Sequence, residues 1–397
     1  MFVLLIDSDD SFVKDLSIAE REQDLPKEVK EKKKKGQLRT GLTTGTSAAA
    51  ATKAALQTLL TKKVNNEIQI TLPKGKIVKL PIAWTRVEDS AVTCSVIKDG
   101  GDDPDVTHGA EILSTVEFTS ESGRVQVKGG IGVGKVTKPG LGLPIGGPAI
   151  NPVPLKMIKD SVKEVLSTDI DSINSFGIAI TITVPKGYEL ALKTDNPRLG
   201  IIGGISILGT SGIVLPYSTA SFAAAIRQGL DVGIAQGADT FILTTGGRSE
   251  DFVKQLFKER YPEYCYVQMG DFAGFSVKQC SDKGIKRIFI GGFIGKLTKI
   301  AMGVKQTHVR GSHVSMDFMA RLAEEAGADE ELVDLIVNAN TARHVSEIID
   351  SNSIAGFYDL ICREAVKQLK NYSGKELLID VILFDFEGNV VGRYPKQ

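Results

Sequence analysis

Apolar and polar positions alternate in short runs along the first half of the chain, a pattern typical of strands in a half-buried sheet. β-Branched residues bounded by turn signals predict strands over residues 67–72, 76–80, 91–97, 111–118, 125–128 and 177–184. Two helices are predicted beside them. One covers the alanine-rich stretch after Ser47, and the other begins near Asn151-Pro152, where Asn caps and Pro fits the first turn. We therefore expect an α+β domain with glycine-rich loops over residues 38–214.

The pattern changes after residue 214. A stretch with helical periodicity follows each of the short apolar runs at 240–244, 265–269 and 287–290. Strands that alternate with helices form parallel sheets covered on both faces, with right-handed crossovers. We therefore expect an α/β Rossmann-like domain of three layers over residues 215–353. Residues 354–397 should add a helix and a β-hairpin with a turn at Glu387-Gly388-Asn389.

The charge distribution limits the classes of partner. Residues 1–37 are expected to form an N-terminal extension, because the run at 27–35 carries six Lys against two Glu and is typical of a solvated segment. Over the whole chain, 48 basic and 48 acidic residues balance. A zero net charge argues against a general nucleic-acid-binding protein, which needs a large basic excess, but it leaves room for a local basic pocket.

Neither a membrane protein nor a disulfide-stabilised one fits the sequence. No stretch reaches the ~18 consecutive apolar residues of a membrane span. The four cysteines lie far apart with no Cys-x-x-Cys pair, which argues against a disulfide framework or a structural zinc site. We expect a protein of the reducing cytoplasm without a metal of its own. Whether it forms a homo-oligomer is left open.

A first candidate site is the polar stretch RTGLTTGTS at 39–47, which leads into the alanine-rich helix. Exposed N–H groups at a helix start, next to glycine and hydroxyl side chains, bind anions. The spacing lacks both the gap and the lysine of a P-loop. The alternative is a helix capped by its own Thr or Ser hydroxyls.

A second candidate is the stretch KDGGDDPDVTHG at 98–109, with four carboxylates within seven residues. These charges repel one another unless a cation lies near. The spacing argues against an EF-hand calcium site, because the twelfth position counted from Asp99 is Ala110 rather than a glutamate. Two readings stay open. The stretch is either a polar turn with Asx caps or a carboxylate group beside His108, suited to proton transfer or to a polar ligand.

Glycine makes up 41 of the 397 residues, and two further candidates are rich in it. They are GGIGVGKVTKPG at 129–140 and NPRLGIIGGISILGTSG at 196–212. Bare backbone lets a large flat ligand approach, and Lys135, Lys138 and Arg198 can bind its anionic groups. Alternatively, such a segment is a twisted connector.

In the second domain, Gly246-Gly247 follows a predicted strand, and Asp271 lies just past the next one. In a Rossmann-like sheet, the polar groups of a ligand lie at that first turn, and an acid after the second strand holds ribose hydroxyls. This spacing indicates a nucleoside-type cofactor. Tight packing of a helix on a strand explains the glycines equally well.

Five motifs in this order resemble the CbiD family, the cobalt-precorrin-5B C1-methyltransferases of anaerobic cobalamin biosynthesis. They are LRTGLTTGTSAAAATKAAL, DGGDDPDVTHGAEI, GIGVGKVTKPGLGLPIGGPAINPVP, NPRLGIIGGISILGTSGIV and GGFIGKLTKIAMGVKQTH, within residues 38–350. The resemblance implies S-adenosylmethionine as methyl donor and methylation of ring carbon C1 of cobalt-precorrin-5B to give cobalt-precorrin-6A. Cobalt is then part of the substrate. One departure is Ser47, where the family motif commonly carries Cys, so a thiol nucleophile is not expected.

Residue roles follow from this resemblance and from the chemistry of a polyanionic ring. We expect Asp102, Asp105 and His108 to be catalytic, by accepting a proton or by stabilising a positively charged transition state. Substrate binding is assigned to Arg39, Thr43, Thr44, Ser47, Lys135, Lys138 and Arg198. S-adenosylmethionine binding is assigned to Gly246, Gly247 and Asp271.

Other functions stay open: a non-catalytic tetrapyrrole carrier, an NAD-dependent oxidoreductase or a phosphotransferase. Neither a complete P-loop nor a complete G-x-G-x-x-G at a strand–helix turn is present, which argues against the last two.

Overall fold

The computed structural model describes residues 31–32, 35–167, 176–305, 307, 314–374 and 376–396. Most of the predicted extension at 1–37 lies outside these residues. The chain forms two compact units, which meet in sequence at Tyr217 and Ser218. The predicted domain boundary at 214 falls just before this point, and residues 354–397 belong to the second unit. Among the described helices, none has the length and apolar character needed to cross a bilayer.

The first unit is built on a five-stranded sheet of order β4-β5-β6-β10-β7. Adjacent strands are antiparallel, except that β10 and β7 are parallel. A separate hairpin pairs β2 with β3. The longer strands of this unit are β2 (Glu67–Thr71), β3 (Ile77–Pro81), β4 (Trp84–Val87), β5 (Ala91–Ile97), β6 (Glu111–Thr119), β7 (Val125–Gly129) and β10 (Gly177–Thr183).

Short strands hold the remaining segments of the first unit together in pairs. They are β1 (Gly41–Leu42), β8 (Gly132–Val133), β9 (Lys135–Val136), β11 (Ile201–Ile202), β12 (Gly204–Ile205) and β13 (Ile213–Val214). β1 pairs with β13, β8 with β12, and β9 with β11. Local sequence does not predict them, because a two-residue strand carries no readable periodicity.

The helix α1 (Thr44–Thr61) forms the centre of the first unit. Its alanines Ala48–Ala51 are completely buried, and small side chains let its backbone approach the sheet and the helix α2 (Pro152–Leu166) closely. A helix buried on all sides belongs to a core. The short helix α3 (Gly187–Ala191) lies against β8 and β12.

Protein backbone occupies the space beside three glycines of the first unit: Gly132 and Gly204, in the glycine-rich segments, and Gly187, at the start of α3. A Cβ built on Gly132 would lie 1.8 Å from the carbonyl oxygen of Val184, and one on Gly187 would lie 2.0 Å from that of Gly132. A Cβ on Gly204 would lie 2.2 Å from the Gly132 carbonyl carbon. No other residue fits at these positions. At Gly132 and Gly204, therefore, the bare backbone packs against other backbone, whereas we expected the bare backbone of these segments to admit a flat ligand.

The second unit contains a five-stranded sheet of order β15-β14-β16-β17-β18. The pairs β15–β14, β14–β16 and β16–β17 are parallel, and β18 pairs antiparallel with β17. The hairpin predicted near the C-terminus is therefore formed by β17 and β18 and is part of this sheet. The strands are β14 (Thr240–Thr244), β15 (Tyr266–Gln268), β16 (Arg287–Phe293), β17 (Leu378–Phe384) and β18 (Val390–Tyr394).

Helices pack on the second sheet with two separate apolar clusters. The smaller cluster contains Val253 of the helix after β14 together with Ile242 and Phe289 of the sheet. The larger cluster joins the other side chains of the strands to the remaining helices. These helices are α4 (Thr219–Ala235), α5 (Gly247–Phe257), α6 (Ala273–Asp282), α7 (Ile294–Ala301), α8 (Met316–Glu325), α9 (Glu330–Val337), α10 (Ala342–Ser351) and α11 (Phe357–Lys370).

The backbone contact at Gly132 predicts an unequal response to two similar substitutions. Gly132 and Gly203 both have positive φ, at 74° and 83°, but a Cβ on Gly203 meets no atom within 4 Å. Gly203→Ala should therefore cost only the left-handed strain of about 1–2 kcal/mol. Gly132→Ala should cost at least about 2 kcal/mol more, because backbone must move. Urea unfolding of both variants checks this, and equal losses would contradict the contact.

Candidate active site

The stretch 98–109, here called the acidic loop, connects β5 to β6 in the first unit. Its base is closed by two backbone hydrogen bonds. Lys98 N–H donates to the Ala110 carbonyl at 2.8 Å, and Gly109 N–H donates to the Lys98 carbonyl at 2.8 Å. Since β5 and β6 are adjacent antiparallel strands, both ends of the loop are anchored at the same edge of the sheet.

A buried ion pair between Lys98 and Asp105 stabilises the loop. The Lys98 side chain is 1% exposed, and its Nζ lies 2.5 Å from Asp105 Oδ2. The other oxygen of Asp105 accepts hydrogen bonds from Thr107 N–H at 2.7 Å and Thr107 Oγ1 at 2.6 Å. Burial acts to raise the pKa of Asp105, but the Lys98 charge and the hydrogen bonds from Lys98 and Thr107 together lower it. Asp105 is thus an ionised structural group, and the geometry does not support the catalytic role that we predicted for it.

His108 projects from the end of the loop, and its side chain is 53% exposed. Its Nδ1 accepts a hydrogen bond from Gly100 N–H at 3.0 Å. A neutral imidazole that accepts at Nδ1 carries its proton on Nε2. In this geometry His108 therefore offers a hydrogen-bond donor at Nε2.

Arg39 lies against the loop with its charge already paired. Its guanidinium forms a fork with Asp99, from Nη1 to Oδ2 and from Nη2 to Oδ1 at 3.0 Å. These hydrogen bonds are the main cause of a raised pKa of Arg39 and of a lowered pKa of Asp99. Asp102 accepts from Arg39 N–H at 2.9 Å and returns a bond from its own N–H to the Arg39 carbonyl. Arg39 thus stabilises the loop, and its guanidinium is not an open anion site.

Sequence reasoning missed Lys98 and Asp99 as parts of the site. The only signal was the repulsion among the loop's carboxylates, which called for cations nearby. The structure supplies them as Lys98 and Arg39. Close approach of the strand β1 helps, because a Cβ on Gly41 would lie 2.1 Å from the Gly100 carbonyl carbon.

The start of α1 is a capped helix and not an open anion site. Thr43, Thr44 and Ser47 are all at most 5% exposed. The Thr43 hydroxyl accepts from Thr46 N–H, Ser47 N–H donates to the Thr43 carbonyl, and Gly45 N–H donates to the Leu208 carbonyl. Of the two readings that the sequence left open, the geometry favours the cap. Direct substrate binding by these three hydroxyls has no support from it.

The three other predicted cations lie on the pair formed by β9 and β11 and the chain beside it. Lys135 is exposed and pairs in register with Ile202. The side chain of the half-buried Lys138 packs over Gly200, and its Nζ lies 3.5 Å from the Arg198 carbonyl oxygen. Large apolar side chains are exposed on the same glycine-rich segments, namely Ile131, Ile202 and Leu208, and Ile145 is exposed nearby in sequence. The surface thus combines basic and apolar groups.

In the second unit, the predicted cofactor residues meet at the carboxyl edge of the sheet. β15 and β16 flank β14 on opposite sides, which makes the carboxyl ends of β14 and β16 the point where the strand order reverses. Lys296, in the first turn of α7, bonds the Thr245 carbonyl and Asp271 Oδ1, both at 2.9 Å. Thr307 Oγ1 donates to the same oxygen at 2.7 Å. Sequence reasoning missed Lys296 and Thr307.

Packing does not explain Gly246-Gly247. A Cβ on Gly246 meets no atom within 4 Å, and one on Gly247 meets only Gln268 Nε2, at 3.8 Å. Of the two readings that the sequence left open, the turn is therefore not required for tight packing of helix on strand. Among the described residues, no cluster of His, Cys, Asp or Glu could hold a metal ion.

Comparison with known proteins identifies the family. The CbiD family matches residues 30–216, and its C-terminal domain matches residues 306–395. The cobalt-precorrin-5B C(1)-methyltransferase of Geobacillus kaustophilus is 46% identical over 356 residues, which cover 90% of this chain and 94% of that protein. The chain belongs to the CbiD family. The resemblance of the five motifs is thereby confirmed.

Two further proteins are similar to this chain. The protein of the same name from Priestia megaterium is 42% identical over 92% of this chain and 98% of its own length. A crystal structure of a cobalamin biosynthesis protein (CbiD) from Archaeoglobus fulgidus matches with 23% identity and a TM-score of 0.36, covering 83% of this chain and 92% of that chain. The acidic loop lies inside the stretch that the first CbiD match covers, whereas Asp271 lies between the two matched stretches.

The lowered pKa of Asp105 predicts a pH-dependent contribution to stability. A carboxyl group whose pKa is lower in the folded state stabilises the fold above its ordinary value of 3.8, and the contribution is lost as the pH falls through the folded-state pKa. Asp105→Asn should therefore cost about 3 kcal/mol near neutral pH, because Lys98 loses its charge partner. The difference from the parent protein should shrink below the ordinary value. Urea unfolding across the acid range checks this, and a difference that stays constant would show that Asp105 is not the charged partner.

Proposed function

We propose that this CbiD protein transfers the methyl group of S-adenosylmethionine to ring carbon C1 of cobalt-precorrin-5B, giving cobalt-precorrin-6A in anaerobic cobalamin biosynthesis. The observation that carries the proposal is the family membership, with relatives named cobalt-precorrin-5B C(1)-methyltransferase at 42–46% identity over 90% or more of the chain. In the reaction a carbon–carbon bond forms at C1 as the sulfur–methyl bond breaks, and S-adenosylhomocysteine leaves.

We assign the ring to the first unit, the α+β domain. Cobalt-precorrins carry several carboxylate arms around a flat ring, so their site needs both donors and apolar surface. Lys135, Lys138 and Arg198 with the exposed Ile131 and Ile202 have this chemistry. Each charge-assisted hydrogen bond is worth about 1.5–3 kcal/mol, so three of them with apolar contact suffice for micromolar binding near −8 kcal/mol.

Within the ring site, His108 is the candidate group for the reacting region. Its Nε2–H is suited to donate a hydrogen bond to a polar group of the ring. Alignment of the two reactants is expected to contribute most, about 7–11 kcal/mol, against about 3–5 kcal/mol for an acid or base.

We assign S-adenosylmethionine to the second unit, as a Rossmann-like α/β domain. The support is its parallel sheet, the open Gly246-Gly247 turn and the acid Asp271 after the next strand. In this assignment Asp271 holds the ribose hydroxyls, and Lys296 fixes the orientation of the carboxylate. We expect the enzyme to work in the cytoplasm.

Incubation with isotopically labelled S-adenosylmethionine and cobalt-precorrin-5B tests the function. We expect one labelled methyl group on the product. Binding of the ring without incorporation would select the non-catalytic carrier and overturn the proposal.

Substitution of His108 tests its role at the ring. His108→Ala should lower kcat about 10²-fold while ring affinity stays nearly unchanged, because the variant loses one hydrogen-bond donor. The control is His344→Ala, since His344 is exposed on α10 and lies in the other unit. Turnover equal to that of the control would remove His108 from the site.

Substitution of Asp271 tests the cofactor assignment. Asp271→Asn should weaken S-adenosylmethionine binding about 10- to 100-fold, through loss of charge-assisted hydrogen bonds. Asp231→Asn is the control, because Asp231 also pairs with a lysine in the second unit, with 2.6 Å between its Oδ1 and Lys283 Nζ. Calorimetric titration measures both affinities. An unchanged affinity for Asp271→Asn would refute the assignment.

A further inference from the structure

We propose that Lys98 is the positioning residue of this site: through the acidic loop it holds His108 in the tautomer whose Nε2 carries the proton. The inference rests on the proposed function for its effect on turnover. Its structural part, the tautomer of His108, can be measured without substrate.

The burial of Lys98 is the first observation. Its side chain is 1% exposed, and it is one of the largest fully buried side chains of the described chain. Lysine is almost never fully buried unless it is paired, because removing an ammonium group from water is unfavourable. Its side-chain partner is Asp105, in the loop that carries His108. A lysine on the surface would be enough to balance the charge of an exposed turn, so the burial of Lys98 needs a further reason.

Two hydrogen bonds join His108 to the loop that the Lys98–Asp105 pair supports. On one side, Lys98 binds Asp105, whose carbonyl accepts from His108 N–H at 2.9 Å. On the other side, Gly100, two residues after Lys98, donates its N–H to His108 Nδ1 at 3.0 Å. A Cβ on Gly100 would lie 3.3 Å from the Cβ of His108, so the backbone and the ring are in close contact.

The consequence concerns which nitrogen carries the proton. While Gly100 N–H points at Nδ1, that nitrogen must present its lone pair, and Nε2 must be the donor. Asp99 Oδ1 lies 3.8 Å from Nδ1, and Arg39 holds it in place. If the loop shifts, Nδ1 can lose the Gly100 bond and take the proton to face this carboxylate. The Nε2 donor would then be lost from the neutral ring.

Lys98→Met removes the charge and keeps an unbranched side chain that is one atom shorter, and Lys98→Arg keeps the charge. Lys53→Met is the matched control. Lys53 is also mostly buried, at 14% exposed, and lies 2.7 Å from Glu164 in the same unit. Each full-length variant is labelled with ¹⁵N-histidine, and the His108 signals are assigned by their loss in His108→Gln. The pattern of the two ring nitrogens then reports the tautomer.

In the parent protein, Lys53→Met and Lys98→Arg, we expect Nδ1 to be the unprotonated nitrogen of neutral His108. In Lys98→Met we expect a mixture of tautomers or the reversed one. Its kcat should fall about 10²-fold with little change in KM, as a small misplacement of a reacting group does. If Lys98→Met does not fold, Thr107→Val loosens Asp105 more mildly, and the same shift is expected in part.

Two results would overturn the inference. One is an unprotonated Nε2 in the parent protein, and the other is an unchanged tautomer in every folded variant that loosens Asp105. Failure of the proposed function looks different. In that case the tautomer would follow the expected pattern, but no variant and no parent protein would transfer a methyl group.

Discussion

Three stretches of backbone in the first unit pass one another with no side chain between them, at Gly132, Gly187 and Gly204. This contact brings β8 beside β12 and, two residues further along, β9 beside β11. The cations predicted to bind the ring, Lys135, Lys138 and Arg198, lie on β9 and on the chain beside β9 and β11. Glycine in these segments therefore shapes the surface indirectly: it lets the backbone close on itself, and the neighbouring side chains then point outwards.

The acidic loop depends on a second constraint, the balance of its charges. Four carboxylates in a short turn would repel one another, but Asp105 pairs with the buried Lys98 and Asp99 pairs with Arg39. The acidic side chains of the loop are thus paired with cations that hold it in place. The hydrogen bond from Gly100 N–H orients His108, and a site that aligns two reactants needs groups held in this way.

Local patterns predicted much of the secondary structure but few of the contacts. The strands 91–97 and 240–244 have the predicted bounds, because each is a run of apolar and β-branched residues with clear turn signals. The partners of Thr44 could not be predicted, since its hydroxyl bonds to the chain at Ser206 and Leu208, more than 160 residues away. For a similar reason, the sequence placed Lys98 at the start of the acidic stretch without assigning it a role. Its burial is decided by the strands on either side and not by its neighbours in sequence.

The acidic loop and the basic, apolar surface of the glycine-rich segments are proposed to bind one and the same ring. A crystal structure of the full chain with cobalt-precorrin-5B and S-adenosylhomocysteine tests it most directly. The account predicts carboxylate arms of the ring on Lys135, Lys138 and Arg198, with His108 Nε2 within hydrogen-bond distance of the ring. A ring bound away from these residues, with the acidic loop facing only solvent, would contradict it.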